Sequence, residues 1–556
     1  MAGNPRLPAP GGEDRLSDLP DGIVEHLLSF LPAPDAARCS VLSRRWRGAW
    51  AHAAALNFSD GPPHQARLLA VARAALARYG APGVPALRVV VGCESNLGPA
   101  TAAWLAEAME RVVGSVSVTV TAPGPLDELA LPAHLRAKSI SLTLSGVIFQ
   151  HGTLVLPEPG ESASFCGLME LSLSIARLQE GVRPLGEFLS SCCPGLRKLS
   201  LTKVSGGMVG NGGLRVWPLV LRLDQLEELK LDRVESLTKL DVVSASLRAL
   251  VVRSCFGYLA QWDIDTVVDI SAPKLEDVSW SGSLPKHLNF LTGSGCIRRL
   301  DGIYLYLPGK EFRSAGALRL LEMCYGANQL SVCIDIPDYT TPSMITREEM
   351  DHVPQLPNAR VLFLRVVAVL RFISCPIAPS IFSFLRRCPN LTRLHIDLSM
   401  LHQFSRLNPG DVMVPDDDEV KEAELWQSPS CDLCKVQRDQ LELDSLRDIR
   451  VSGFMGTVHE LELADLLFGA GAARPALERI SISFPKGSHQ GSVVRGAEAM
   501  ESAFRRLFAP VDPVDPVDPL RQHVHGIGEK MKAKFPLVGG CWETNGGEGA
   551  LTWTKT

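Results

Sequence analysis

The chain has 556 residues, 46% of them apolar and 21% charged, with a formal net charge of −5. That length is too great for one core, so several units or a repeat array are expected. The slightly acidic balance, with Lys and Arg spread along the chain, speaks against a nucleic-acid binder, which would carry a basic patch.

Residues 1–13 are rich in Pro, Gly and charge. They lack the apolar run of a secretory signal and are expected to be a disordered N-terminus. The fourteen cysteines follow no regular spacing. Without a signal peptide, that pattern predicts reduced, mostly buried thiols and a cytoplasmic or nuclear protein.

Three short helices are predicted over residues 14–50, "DRLSDLPDGIVEHLLSFLPAPDAARCSVLSRRWRGAW". Asp18 can cap the first, with Pro20 in its opening turn, where a missing N–H costs nothing. Ile23, Leu27 and Phe30 or Leu31 recur at helical spacing, and Val24 and Leu28 widen the stripe until Pro32 stops it. Pro34 and Asp35 open a second helix with Ala37, Val41 and Leu42 on its apolar side. Ser43 can cap a third turn carrying Arg44, Arg45, Trp46 and Trp50. A segment shorter than ~40 residues cannot bury apolar side chains on so many faces by itself. The surplus must meet either the rest of the chain or another protein.

Residues 51–443 repeat the pattern L-x-x-L-x-L with conservative swaps. Copies are "LMELSL" from Leu168, "LRKLSL" from Leu196, "LEELKL" from Leu226, "LRALVV" from Leu247, "LEDVSW" from Leu275, "LRLLEM" from Leu318, "ARVLFL" from Ala359 and "LTRLHI" from Leu391. Further copies, "LRDIRV" from Leu446 and "LERISI" from Leu477, follow that region. Many gaps are roughly 20 to 30 residues, the period of a repeat in which one short strand turns its alternate leucines inward. The gaps are short for a full crossover helix, so a curved solenoid is favoured over an ordinary parallel α/β domain. The longer gaps after Met323 and Leu398 imply insertions or degenerate copies. The apolar run "VLFLRVVAVLRFISCPIAPSIFSFL" from Val361 is interrupted by Arg365, Arg371 and Pro376, so it reads as strand then helix rather than a membrane span. "FLSSCCPGLRKLSL" from Phe188 and "FLRRCPNLTRLHIDL" from Phe384 share a longer signature in which Cys and Pro end a helix before a strand. Their cysteines read as small buried packing units.

Residues 399–443 form a polar insertion whose run "PDDDEVKEAELW" reads as a solvated loop; Cys431 and Cys434 within it lack the second pair a zinc site needs. Residues 444–484 read as strand, helix, strand, one more turn that could cap the array. The segment 509–556 begins with "APVDPVDPVDP", an extended Pro-rich linker, and continues as a tail expected to have low order.

Residues 14–50 resemble an F-box of the plant F-box/leucine-rich-repeat type. The resemblance rests on Leu19-Pro20, Ile23, Leu27, Leu28, "SFLP" from Ser29, Asp35, Ala36, "SVLSRRW" from Ser40, and Trp50. "LRDIRVSGFMGT", "ELELADLLF" and "LERISISF" resemble the FBD module that follows such repeats. The resemblance implies an α/β fold, a three-helix F-box followed by the solenoid. It implies a Skp1-like adaptor, and through it a cullin, bound by Leu19, Pro20, Ile23, Leu27, Leu31, Val41, Leu42 and Trp46. Trp46 is the expected anchor, since buried aromatics dominate interfaces.

A search for chemistry finds none. "GGMVGNGG" from Gly206 has no phosphate-binding lysine, "HELEL" from His459 lacks a second histidine, and no G-x-S-x-G occurs. The sequons at Asn57 and Asn390 are expected to be inert in a reducing compartment. The expectation is a non-catalytic adaptor without cofactor, metal, nucleic acid or membrane, joining the adaptor to a protein substrate in a ubiquitin ligase. The alternatives are a non-degradative F-box protein and a repeat scaffold or small-ligand receptor.

Overall fold

Alternation of leucine with polar residues dictates the strands. The segments "ELSLS", "KLSLT" and "ELKLD" turn Leu171, Leu173, Leu199, Leu201, Leu229 and Leu231 to one side, where all are buried. Parallel pairing aligns them: Leu171 lies beside Leu199 and Leu199 beside Leu229. Each such leucine removed from water contributes about 1.5–3 kcal/mol, and the gain recurs with every repeat.

A computed structural model describes residues 19–42, 44–59, 68–92, 99–122, 128–146, 152–157, 164–179, 184–206, 208–209, 215–256, 264–291, 297–306, 311–336, 353–368, 377–400, 443–454, 460, 463–464, 467, 476–483, 540–545 and 550–555. It divides into two units, Met1–Leu247 and Arg248–Thr556. The α/β architecture is the expected one, N-terminal helices followed by long parallel ladders of repeat strands.

In the first unit, strands Leu56–Ser59, Val84–Val91, Val112–Ala122, Ser139–Gly146, Glu170–Ser174, Lys198–Thr202 and Glu228–Asp232 pair in parallel, each with the next. The return path runs through helices Leu68–Arg78, Pro99–Glu110 and Leu185–Cys192. Where a helix is absent, short strands such as Arg215–Arg222 and Leu237–Val243 form a second parallel set. Trp217 Nε1 donates to the Glu235 carbonyl there at 2.8 Å.

In the second unit, strands Ala249–Arg253, Asp277–Ser281, Arg299–Tyr306, Gln329–Ile336, Val361–Ala368, Arg393–Asp397, Asp448–Ser452 and Arg479–Ser483 pair in parallel in the same way. Helices Glu311–Met323 and Ile377–Leu385 lie between members of this series. The apolar run from Val361 is a strand followed by a helix, as its interrupting charges require. No helix among the described residues is long and apolar enough to cross a membrane.

One turn recurs as strands end. Ile175, Lys203, Arg233 and Ser254 each follow a repeat strand and adopt φ between 50° and 52°. Gly282 and Gly453 occupy the same place with φ of 88° and 73°. The left-handed conformation turns the chain sharply out of the sheet. It also aims the N–H of Ile175 at the Thr202 carbonyl, that of Lys203 at Asp232 and that of Ser254 at Ser281, each at 2.8 Å. The neighbouring repeat therefore offsets a conformation that L-residues ordinarily avoid.

Two sequence expectations need correction. "LRLLEM" from Leu318 is part of helix Glu311–Met323, because Leu320 and Leu321 are buried side by side at helical rather than alternate spacing. The real strand of that repeat is Gln329–Ile336, "QLSVCIDI", in which Val332 and Ile334 stand where leucines were sought. The tail is not wholly of low order. Strand Ala550–Lys555 pairs antiparallel with Arg479–Ser483, and Gly540–Asn545 pairs antiparallel with Ala550–Lys555. An unpaired parallel strand would leave a row of open N–H and C=O groups, and this hairpin covers it.

In the segment resembling an FBD, Glu460, Leu463, Ala464 and Leu467 are helical and buried, three and four residues apart as one helix face requires. The acidic run of the insertion, the Cys431–Cys434 pair and the Pro-rich linker lie outside the described residues.

The cysteines of the shared helix-to-strand signature are packing units. Cys192, Cys193 and Cys388 are buried, and burial pushes the Cys193 and Cys388 thiols up to about 12, far from the thiolate state needed for reactivity.

Candidate adaptor-binding face

Helix α1 spans Asp21–Leu28, α2 spans Ala33–Arg38 and α3 spans Trp46–Ala49; 3₁₀ turns at Cys39–Val41 and Trp50–His52 follow the last two. The first helix begins at Pro20, whose carbonyl accepts the N–H groups of Ile23 at 2.9 Å and Val24 at 3.2 Å. Pro20 stands at its N-cap and offers no side-chain cap, and Asp18, the expected cap, lies outside the described residues. A charge from the third segment takes over that end: Arg45 Nε meets Asp21 Oδ1 at 2.6 Å, and its Nη2 donates to the Leu19 carbonyl. Sequence reading missed Arg45, because a contact across more than twenty residues leaves no periodic signal.

Inside the module, Val24, Leu28, Ala36, Trp46 and Ala53 form the core, with Leu19, Cys39, Ala49 and Trp50 packed around it. Trp46 is only 7% exposed. Its expected place on the outer face is therefore corrected: its ring packs from within against Val24, Leu28 and Ala36, joining the three segments.

The module is tied to the first repeat. Asn57, at the opening of strand Leu56–Ser59, donates to the carbonyls of Ser29 at 2.5 Å and Leu31 at 3.3 Å. Tyr79 Oη donates to the Ala53 carbonyl at 2.8 Å, and the Gly80 N–H donates to Ala51 at 3.0 Å. One side of the three-segment unit thus docks on its own chain.

The rest does not. Ile23, Leu27, Phe30, Leu31, Val41 and Leu42 are all between 36% and 85% exposed. Ile23 and Leu27 stand one turn apart on α1, Phe30 and Leu31 follow in the turn after it, and Val41 and Leu42 lie in the turn after α2. Phe30 was absent from the expected face; its ring meets the edge of His26 at 4.9 Å. Its place seven residues after Ile23 was the available signal. Pro20 is exposed and Leu19 half-buried.

Residues 16–53 match the F-box domain. The N-terminal module is an F-box. Among curated proteins, the chain is similar to F-box/LRR-repeat proteins of Arabidopsis thaliana. One is 35% identical over 111 residues, 20% of this chain and 22% of the relative; another is 30% identical over 207 residues, 34% of this chain and 41% of the relative. An F-box/FBD/LRR-repeat protein of the same plant is 26% identical over 198 residues, again 34% of this chain and 41% of the relative. The matched stretches thus span less than half the length of these relatives. Together with the ladders, they support reading the chain as a plant-type F-box protein with leucine-rich repeats and FBD-like features.

Proposed function

We propose that this F-box chain is the substrate-recognition subunit of a Skp1–cullin–F-box ubiquitin ligase. In this reading the F-box binds a Skp1-like adaptor and through it a cullin, the repeats bind a protein target, and the chain works in the cytoplasm or nucleus. One observation carries the reading. Of nine large apolar side chains exposed among the described residues, six fall between Ile23 and Leu42. Such a concentration, on a module that already has its own core, fits an obligate partner surface. Holding a target beside a ubiquitin-loaded enzyme raises its effective concentration, worth roughly 10²- to 10⁴-fold in engagement without any catalytic group.

Among the described residues one arrangement resembles a catalytic triad, and its geometry does not suit catalysis. Ser452 Oγ lies 3.0 Å from His395 Nε2 and 3.4 Å from Asp397 Oδ1. In a working triad the histidine stands between acid and serine, so that the acid orients it. Here the serine stands between, and Arg365 Nε at 3.1 Å neutralises Asp397. The group reads as a polar ladder across neighbouring strands.

The test is capture of a purified Skp1-type adaptor. The wild-type chain is expected to retain it, and a Leu27→Asp/Val41→Asp variant to lose it without loss of helix or sheet signal, since both side chains are exposed. Val243→Asp/Leu291→Asp, at exposed positions in the repeats, should bind as wild type. Equal capture by the Leu27/Val41 variant, or no capture by the wild type, would overturn the reading.

A further inference from the structure

The repeats carry a second concentration of one chemistry. Arg360 immediately precedes strand Val361–Ala368, Arg393 opens Arg393–Asp397, Arg447 immediately precedes Asp448–Ser452 and Arg479 opens Arg479–Ser483. Backbone bonds fix them in a row: the Arg393 N–H donates to Arg360 at 3.0 Å and the Arg479 N–H donates to Arg447 at 3.0 Å. With Arg450 they line a cavity of about 1010 Å³ that Thr392 and Thr554 help to close.

The charges there do not balance. Among the described residues two carboxylates line the cavity, and each already has an arginine: Glu478 meets Arg447 at 3.5 Å and Asp448 meets Arg450 at 3.2 Å. Arg360, Arg393 and Arg479 meet no carboxylate among the described residues. Among the described lining residues, five arginines therefore stand against two carboxylates, and the exposed guanidinium groups of Arg360, Arg393 and Arg479 are the surplus.

From this row we infer that the repeats recognise their target through a carboxylate-rich peptide segment laid across the strand openings of the second unit. The inference deepens the proposed function and rests on it for the word target. Neighbouring strands lie about 4.8 Å apart, so the row from Arg360 to Arg479 covers about 14 Å. A single small anion reaches one end of such a row. An extended peptide presents side chains on one face every ~6.6 Å, so two or three acidic residues meet the row along its length. Guanidinium groups suit this role because each binds a carboxylate through two parallel hydrogen bonds. Asp448, between Arg393 and Arg479, and Glu478 beside Arg447 disfavour a nucleic-acid backbone, whose charges cannot skip them.

Binding would be followed by fluorescence anisotropy on the full chain. The probes are a labelled peptide of about ten residues alternating Glu with Ser, the same peptide with Gln for Glu, and a short single-stranded oligonucleotide. The Glu peptide is expected to bind and to weaken as salt rises from about 50 to 200 mM, and the Gln peptide is expected not to bind. Arg393→Glu/Arg479→Glu should weaken the Glu peptide by ~10-fold or more. Arg73→Glu/Arg78→Glu, the same charge change at exposed positions of helix Leu68–Arg78 in the first unit, should leave it unchanged. Equal binding by both variants, or tighter binding of the oligonucleotide than of the Glu peptide, would overturn the inference. Adaptor capture is measured on the same preparations. Capture without peptide binding defeats this inference alone, and peptide binding without capture defeats the F-box reading alone.

Discussion

The F-box and the repeats spend the same kind of residue in opposite ways. In the repeats a leucine such as Leu199 sits between Leu171 and Leu229 of the neighbouring strands, and all three are buried. The strand's period of two assigns every leucine to one face, and the adjacent repeat covers that face. In the F-box, short helices carry a wider apolar stripe than a core of Val24, Leu28, Ala36, Trp46 and Ala53 can cover, and Ile23, Leu27 and Phe30 stay in solvent. Apolar content alone does not distinguish a core from an interface. The availability of a covering neighbour does.

The comparison can be broken most directly at Trp46. Trp46→Ala should cost about 3–5 kcal/mol of F-box stability, because a large buried ring leaves a cavity among three short segments. Val41→Ala, at a site 85% exposed, should stay within about 0.5 kcal/mol while still weakening adaptor capture. Hydrogen exchange over residues 19–56 separates these outcomes. Equal protection loss in the two variants would mean that the F-box does not divide into core and face.

A smaller effect tests what holds the repeats. At Gly453, φ is 73° and an added Cβ would come within 2.5 Å of the Ser399 backbone nitrogen. Gly453→Ala should therefore cost about 1–3 kcal/mol. Lys203→Gly, at the equivalent turn, should be nearly neutral, because relief of its left-handed strain offsets the gain in unfolded-chain entropy. Urea denaturation of both variants checks the pair. A neutral Gly453→Ala would show that the turn tolerates crowding and that stacked leucines alone set the repeat geometry.

The smallest effect concerns charge. Arg222 Nη1 meets Asp241 Oδ1 at 2.7 Å between two return strands. Hydrogen bonding from Arg222 is the main reason the Asp241 carboxyl lies below its ordinary range, against burial, which opposes it. A lowered folded value means the contribution is fully present above the unfolded carboxylate value of about 3.9 and is lost as pH falls through the lower folded one. Arg222 is nearly half exposed, so the contribution should be under about 1 kcal/mol. Asp241→Asn should lower the melting temperature slightly at pH 7, and the gap from wild type should close as pH falls below about 3.9. A gap that widens in acid would reverse the assigned sign.

The strands with leucine at alternate positions were legible because "LRKLSL" carries period, spacing and hydrophobicity at once. Val84–Val91 and Val112–Ala122 were passed over because "VPALRVVV" and "VVGSVSVTVTA" build the same ladder from valine, and their burial comes from neighbours that no short window contains. The F-box pattern was legible as three helices with surplus apolar surface. Which residue fell inside was not: Trp46 and Val41 look alike in a linear stripe, and only the crossing of α1 with the third segment decides between them. The arginine row was invisible for the same reason, since Arg360 and Arg479 become neighbours only through the ladder.

The hairpin on Arg479–Ser483 adds a matter of timing. The strand that seals this edge, Ala550–Lys555, is encoded far downstream of the strand it seals. During synthesis the repeats can stack as they emerge, while the edge at Ile480 and Ile482 stays available to any other extended chain until Leu551 and Trp553 arrive. A chain cut short in between would carry a stacked ladder whose last strand still offers open N–H and C=O groups.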